Sequence, residues 1–188
     1  MESRCYNQFC ALAYALDAIG ERWTLLIVRE LLTGPRRFKD LIDGLPGIST
    51  NLLSERLKSL VKQGIIDRRV LPPPAGSAVY ELTPLGRGLE NAVVELGRWG
   101  SRLMPPEIEG ASLPSIGTVG LAIKSFFRPE LAKEIDETIQ IEIGCEVLQV
   151  RIDRGKLSID QGITKIPDVV FRTEMAPFLS LFAGQMEP

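Results

Sequence analysis

A polar-capped amphipathic helix with basic residues on its outer face is the feature that most constrains what this chain can fold into. The segment Ser49-Thr50-Asn51 has the composition of a helix N-cap and first turn. Leu53, Leu57, Leu60 and Val61 then recur at helical spacing and form one apolar stripe, and Gly64 ends the pattern. The stripe predicts a helix that is held by a core on one side and presents polar groups to a partner on the other.

The segments around this helix place it in a larger unit. A short basic helical stretch covers residues 36–42, and a tight turn follows at residues 45–48. After the helix, residues 66–71 and 78–82 alternate as a strand pair, with a proline-rich tip at 72–77. Helix, turn, helix and basic-stemmed hairpin in this order predict a winged helix-turn-helix that binds double-stranded DNA.

The candidate DNA-binding residues are of two chemical types. Small hydrogen-bonding side chains reach base edges or phosphates, and basic side chains meet phosphates. The alternative is a capped, solvated surface helix beside a rigid, exposed hairpin, in which the same residues only keep the surface polar. The candidate set consists of Arg36, Arg37, Lys39, Ser49, Thr50, Asn51, Ser54, Arg56, Lys58, Lys62, Arg68, Arg69 and Ser77.

Charge is distributed unevenly along the chain. The net charge is −2, but residues 1–104 carry 14 basic and 11 acidic residues, whereas residues 105–188 carry 8 and 13. Within residues 36–69 there are 8 basic and 4 acidic residues. Because phosphate affinity depends on the charge at the contact face, the negative total does not argue against DNA binding.

Several classes of protein are disfavoured by composition. The chain has no histidine, and it contains no nucleophile elbow, glycine-rich phosphate loop or metal-ligand cluster, so we expect neither an enzyme nor a cofactor or metal. No apolar run approaches the roughly 18 residues of a membrane span. The N-terminus lacks a signal-peptide core, and three cysteines without framework spacing suit reduced thiols, so we expect a cytoplasmic protein.

The periodicity of the rest of the chain predicts an α+β protein of two domains. Residues 1–104 form a mainly helical DNA-binding domain, and Thr83-Pro84 starts its long last helix. A linker rich in proline covers residues 105–114. Residues 115–188 form a small α+β domain, in which a helix at 115–127 precedes an antiparallel sheet with one apolar face.

Motifs in the N-terminal half resemble the HxlR family of bacterial winged-helix transcriptional regulators. They include Asp17-Ala18-Ile19-Gly20-Glu21-Arg22-Trp23, Leu45-Pro46-Gly47-Ile48-Ser49 and Tyr80-Glu81-Leu82-Thr83-Pro84. The resemblance covers about residues 10–103 and implies a homodimer that reads a palindromic operator, with a recognition helix at about 49–63. The first and last helices are expected to form the dimer surface, with Phe9, Leu12, Leu16, Leu89, Val93, Leu96 and Trp99.

Cys10 lies where many members of this family carry a cysteine, which some use to sense oxidants. The resemblance therefore makes Cys10 a candidate redox sensor, although Ala11 follows it where the family usually has proline. A reactive thiol must be exposed. The alternative is a small buried residue of the first helix.

The C-terminal half combines a helix and paired strands with an Arg154-Gly155-Lys156-Leu157 turn, the motif Pro167-Asp168-Val169 and a closing helix pattern that ends at Gly184. In these features it resembles the sterol-carrier-protein-like domain that some HxlR proteins append. The resemblance implies an apolar cavity for a hydrophobic small molecule, and it also implies that the domain is truncated or shortened, because another strand and helix usually follow. The same apolar sheet face could instead be core or a dimer surface. The alternative function is a hydrophobic-ligand carrier or sensor whose winged-helix half serves for dimerisation.

Overall fold

The structure is a computed structural model that describes residues 5–72, 76–104 and 113–182. The chain forms two compact units, Met1–Val93 and Val94–Pro188. The division falls inside a helix, whereas most of the linker expected at 105–114 lies outside the described residues.

Four helices build most of the first unit. They are α1 (Ala11–Ile19), α2 (Thr24–Leu31), α3 (Phe38–Gly44) and α4 (Thr50–Lys62). The apolar stripe of α2 and the three leucines of the α4 stripe face inward, as the helical spacing predicts, and they meet Leu41 of α3 and Ile66 at the start of the hairpin. The assignment of Val61 to this stripe is wrong, because its side chain is exposed. The large, fully buried side chains at the centre of this core are Ile27, Leu31, Leu41, Leu53, Leu57, Leu60 and Ile66.

The wing is a three-stranded antiparallel sheet. The hairpin strands β2 (Ile66–Val70) and β3 (Ala78–Leu82) pair as expected, with Arg68 opposite Tyr80. A two-residue strand, β1 (Arg36–Arg37), adds to β3 on its other side. The prediction of a helix from Arg36 is therefore wrong at its start, because Arg36 and Arg37 are extended and α3 begins at Phe38.

The helix predicted from Thr83 is two helices. Thr83 Oγ1 accepts a hydrogen bond from Gly86 N at 3.1 Å and caps a single turn, α5 (Pro84–Arg87). A new helix, α6 (Glu90–Ser101), then starts after Gly88 and Leu89. Two glycines within three residues lower the helix propensity here, which accounts for the break.

Among the residues that the structure describes, the second unit contains the end of α6, a four-stranded sheet, two further α-helices and a 3-10 helix at Pro129–Leu131. Ser115 caps α7 (Ile116–Phe126), and α8 (Met175–Phe182) follows the last strand. The strands are β4 (Asp136–Ile143), β5 (Glu146–Asp153), β6 (Lys156–Gln161) and β7 (Val169–Thr173), in the spatial order β6-β5-β4-β7.

The sheet is mixed, which corrects the expectation of an antiparallel one. Strands β4, β5 and β6 form an antiparallel meander, but β7 runs parallel to β4, with Ile141 opposite Phe171. Alternate residues of the strands build an apolar face, as the sequence predicts. This core joins α7 and α8 to the sheet through Ile116, Val119, Ile143, Leu148, Val150, Ile159 and Phe178.

Candidate nucleic-acid interface

The N-terminal half of α4 has the geometry that base readout requires. Ser49 Oγ accepts a hydrogen bond from Leu52 N at 3.3 Å and so caps the helix. Thr50 and Asn51 are exposed in the first turn, while Leu53 and its stripe are buried. A helix held in this way can enter a major groove with its first turn facing the bases.

Exposed basic side chains lie on several elements of the first unit. Arg37 lies in β1, Lys39 in α3, and Lys58 and Lys62 in the second half of α4. Each of the four is exposed, as contact with phosphate requires. Ser54, which the sequence also assigns to this surface, is half-buried.

Arg36 must be removed from the candidate set, because its side chain is buried. Its Nε donates a hydrogen bond to Glu30 O at 3.2 Å, and its Nη2 donates to Thr33 Oγ1 at 3.0 Å. Glu30 belongs to the last turn of α2, where carbonyl groups lack partners within the helix. Arg36 thus caps α2 and does not lie on the surface.

Arg56 is engaged within the protein as well. Its Nε donates to Arg22 O at 3.2 Å, its Nη2 to Glu21 Oε2 at 2.9 Å and its Nη1 to Glu55 Oε1 at 3.0 Å. The side chain is 14% exposed. Sequence reasoning missed these contacts because Glu21 and Arg22 lie more than thirty residues away along the chain.

The two arginines of the wing stem point to opposite faces of the hairpin. Successive side chains of a strand alternate, so Arg68 and Arg69 cannot both face the same surface. Both are exposed, and Arg69 is ion-paired with Glu81 of β3. The Ser77 hydroxyl is buried, which removes it from the candidate contacts. Residues 73–75 of the predicted tip lie outside the described residues.

The predicted dimer residues differ in exposure. Phe9, Leu12, Leu16, Leu96 and Trp99 are exposed, as a partner surface requires, and Leu89 is half-buried. Val93 is buried at 5% exposure, so its assignment to a dimer surface is corrected to a core position. Cys10 is exposed and occupies the N-cap position of α1, contrary to the alternative of a buried residue.

The chain was compared with known proteins. A family model described as "HxlR-like helix-turn-helix" matches residues 18–108. The transcriptional regulator YodB of Bacillus subtilis is 37% identical over 92 residues, which is 49% of this chain and 82% of YodB. The chain belongs to the HxlR-like helix-turn-helix family. An HTH-type transcriptional regulator of Mycobacterium tuberculosis is 45% identical over 91 residues, covering 48% of this chain and 57% of that protein.

A solved structure is also similar to this chain. The reduced form of YodB from B. subtilis is 34% identical and has a TM-score of 0.46, covering 54% of this chain and 100% of that one. The family model and the sequence relatives associate the chain with transcriptional regulators, and no enzyme family is indicated. Within the described residues, no helix has the length and apolar character to cross a membrane, and no cluster of three potential metal ligands is found.

Proposed function

We propose that this HxlR-like protein is a sequence-specific DNA-binding transcriptional regulator. The observation that carries the proposal is the division of α4 into a buried leucine stripe and an exposed polar first turn that contains Thr50 and Asn51. In this arrangement Asn51 is the candidate for base contact, since its amide can bond adenine bidentately. The proposed phosphate contacts are Arg37, Lys39, Lys58, Lys62 and Arg69. Arg37 and Arg69 both lie opposite Val79 and so share a face of the sheet, whereas Arg68 lies on the other face.

In vitro selection from a random duplex library tests this function. We expect the full chain to enrich a two-fold symmetric sequence with half-sites about 10 base pairs apart. Affinity for that operator should fall steeply with salt, because bound basic side chains release counterions from the phosphates. If no sequence is enriched over the starting library, the proposal is wrong.

We infer that the regulator acts as a homodimer through α1. Ala13 is the one residue of α1 that is buried, and the helix presents Leu12 and Leu16 to solvent. An apolar cavity of about 220 Å³ remains between α1 and α5, lined in part by Ala18 and Leu85. A helix with so little burial gains stability from a partner surface.

Sedimentation of the full chain at micromolar concentration tests this assembly. We expect a dimer, and we expect Leu12→Asp to weaken it at least about a hundredfold, because a carboxylate would be buried at an apolar surface. Leu131→Asp is the matched control, since Leu131 is the same residue type and is similarly exposed but lies in the second unit. A monomeric wild type, or equal weakening by both variants, would contradict the role of α1.

We also propose that Cys10 senses oxidants, and that oxidation of its thiol changes DNA binding. Its exposure at the start of α1 supports access of small oxidants to the thiol. Oxidation by hydrogen peroxide should change the operator affinity of the wild type and leave Cys10→Ser unchanged. If both proteins respond alike, Cys10 is not the sensor.

The second unit is proposed to bind a hydrophobic small molecule, as a sterol-carrier-like domain would. Exposed apolar side chains on and before β7, among them Ile163, Ile166 and Val169, support a surface that favours apolar partners. A ligand can regulate DNA binding only if it binds one dimer geometry more tightly than the other. Thermal-shift titration of the full chain with fatty acids, paired with operator titration, tests both points. Binding without a change in operator affinity would favour a carrier function.

A further inference from the structure

Arg56 joins two parts of the first unit that are distant in sequence. It projects from α4 to the turn between α1 and α2, where it bonds the backbone carbonyl of Arg22 and the carboxylate of Glu21. One guanidinium thus holds a main-chain and a side-chain group of the same turn. The fork geometry of arginine allows both bonds at once, which a lysine cannot reproduce.

The turn that Arg56 holds has an unusual backbone. Trp23 has φ +78°, a left-handed conformation that is rare for a bulky residue and persists where surrounding contacts enforce it. The Arg22 guanidinium lies 5.4 Å from the centre of the Trp23 ring. The far edge of that ring is close to Gly47, in the turn that precedes α4, so that a Cβ at this glycine would stand 3.8 Å from Trp23 Cη2.

The turn therefore bonds the middle of α4 and also lies near the segment that leads into it. Arg56 attaches the helix to Glu21 and Arg22, and the Trp23 ring is close to Gly47. Together these restraints limit both the position of α4 and its rotation about its own axis. That rotation decides whether Asn51 in the first turn faces a groove.

The charge of Arg56 is already neutralised within the protein. Glu21 and Glu55 both lie within hydrogen-bond distance of the guanidinium, and the side chain is 14% exposed. A phosphate contact would have to displace these carboxylates. Arg56 differs in this respect from Lys58, which follows two residues later on the same helix and is exposed.

We propose that Arg56 is a positioning residue that fixes the recognition helix α4 to the α1–α2 turn and does not contact DNA. The inference rests on the proposed DNA-binding function, because the position of α4 matters only if α4 reads bases. It predicts that Arg56 and Glu21 act as a pair. It also predicts that the pair controls the preference for operator over other DNA rather than general affinity for phosphates.

A substitution of Glu21 distinguishes a positioning role of Arg56 from a phosphate-contacting role, because the two roles change DNA affinity in opposite directions. If Arg56 positions α4, Glu21→Gln lowers operator affinity, by about tenfold for a charge-assisted hydrogen bond. If Arg56 contacts phosphate, the same change frees its charge and raises the affinity for all DNA. Glu21 is 65% exposed, so the variant is expected to fold. Asp43 is an exposed carboxylate of α3, and Asp43→Asn is therefore the control for the loss of one negative charge.

The experiment measures the full-length wild type, Glu21→Gln, Arg56→Lys and Asp43→Asn against the selected operator and a random duplex of equal length. We expect both Glu21→Gln and Arg56→Lys to bind the operator more weakly than the wild type does. For the random duplex, Glu21→Gln should have the affinity of Asp43→Asn, and Arg56→Lys should have the affinity of the wild type. Far-UV circular dichroism and thermal unfolding confirm that each variant folds. Tighter binding of Glu21→Gln to both duplexes, or wild-type operator affinity for Arg56→Lys, overturns the positioning role. If the wild type selects no operator, the DNA-binding function fails first, which is a separate result.

Discussion

Arg69 in β2 donates a hydrogen bond from Nε to Oε1 of Glu81 in β3, at 2.5 Å. The pair lies across the stem of the wing, and Arg69 is 45% exposed there. An exposed ion pair contributes little to stability, because water and salt screen the attraction. We expect its larger effect to be on function, because Glu81 would compete with phosphate for the same guanidinium in the proposed DNA complex.

We predict that Glu81→Gln strengthens DNA binding. The freed guanidinium of Arg69 adds about one phosphate contact, which should steepen the slope of log affinity against log salt by roughly 0.9. The gain should be similar for operator and random duplex, because phosphate contacts carry no sequence information. Fluorescence anisotropy at several salt concentrations measures both quantities.

A double variant checks that Arg69 causes this effect. In an Arg69→Ala background, Glu81→Gln should change the salt slope very little, because there is no guanidinium left to free. An equal gain in both backgrounds would mean that Glu81 acts only by general repulsion of DNA. Coupling between the two changes is the result we expect for residues in direct contact.

Asn51 and Lys58 lie on the same helix and should affect DNA binding in different ways. We predict that Asn51→Ala relaxes sequence preference, with a loss of about 1–3 kcal/mol at one base position, because an amide reads a base edge. Lys58→Ala should weaken binding to all sequences and reduce the salt slope by about one unit. Repeating the selection with each variant separates the two outcomes, and an unchanged selected sequence for Asn51→Ala would exclude it as a reader.

The parts of the fold that depend on local signals could be predicted from the sequence. Ser49 caps α4 and Ser115 caps α7, as the residue types and the apolar stripes behind them indicate. The hairpin β2–β3 also forms where alternation and turn residues place it. In each case the atoms that determine the structure are close together along the chain.

Features that depend on distant partners could not be predicted. Arg36 belongs to a basic cluster in sequence, but its bonds to Glu30 O and Thr33 Oγ1 require the chain to turn back after α2. The orientation of β7 is likewise undetermined by its own residues, because this exposed edge strand could pair with β4 in either direction. The candidate DNA surface was therefore predicted in its helix and only in part in its basic residues.

Gly86 supports the wing through a close backbone approach. A Cβ at this position would overlap the carbonyl oxygen of Ile65, just before β2. We predict that Gly86→Ala lowers the free energy of unfolding by about 1–3 kcal/mol, because backbone atoms must move to admit the methyl group. Gly100→Ala in α6 is the control: its Cβ would meet no atom within 4 Å, and alanine favours the helix by up to about 1 kcal/mol. In thermal denaturation, the unfolding midpoint should fall for Gly86→Ala and rise for Gly100→Ala. Shifts of the same sign in both variants would contradict this account.

Glu142 in β4 accepts hydrogen bonds from two neighbours. Gln140 Nε2 donates to its Oε1 at 2.7 Å, and Arg172 Nε in β7 donates to its Oε2 at 2.8 Å. The hydrogen bond from Gln140 is the main cause that lowers the pKa of Glu142 below its ordinary value of 4.5, and the bond and charge of Arg172 lower it further. The ionised carboxylate is therefore favoured in the folded protein.

The sign of this shift fixes the pH dependence. A carboxyl whose pKa is depressed on folding stabilises the protein above pH 4.5, and the contribution is lost as the pH falls through the lower, folded-state pKa. We predict that Gln140→Met and Arg172→Met each raise the pKa of Glu142, because each removes a hydrogen bond that lowers it. Carboxyl-carbon NMR titration of the full chain measures the pKa in each variant directly. Val70→Ser, at an exposed position of β2 in the first unit, should leave the titration unchanged. If Gln140→Met left the pKa of Glu142 unchanged, the amide of Gln140 would not be a partner that lowers it.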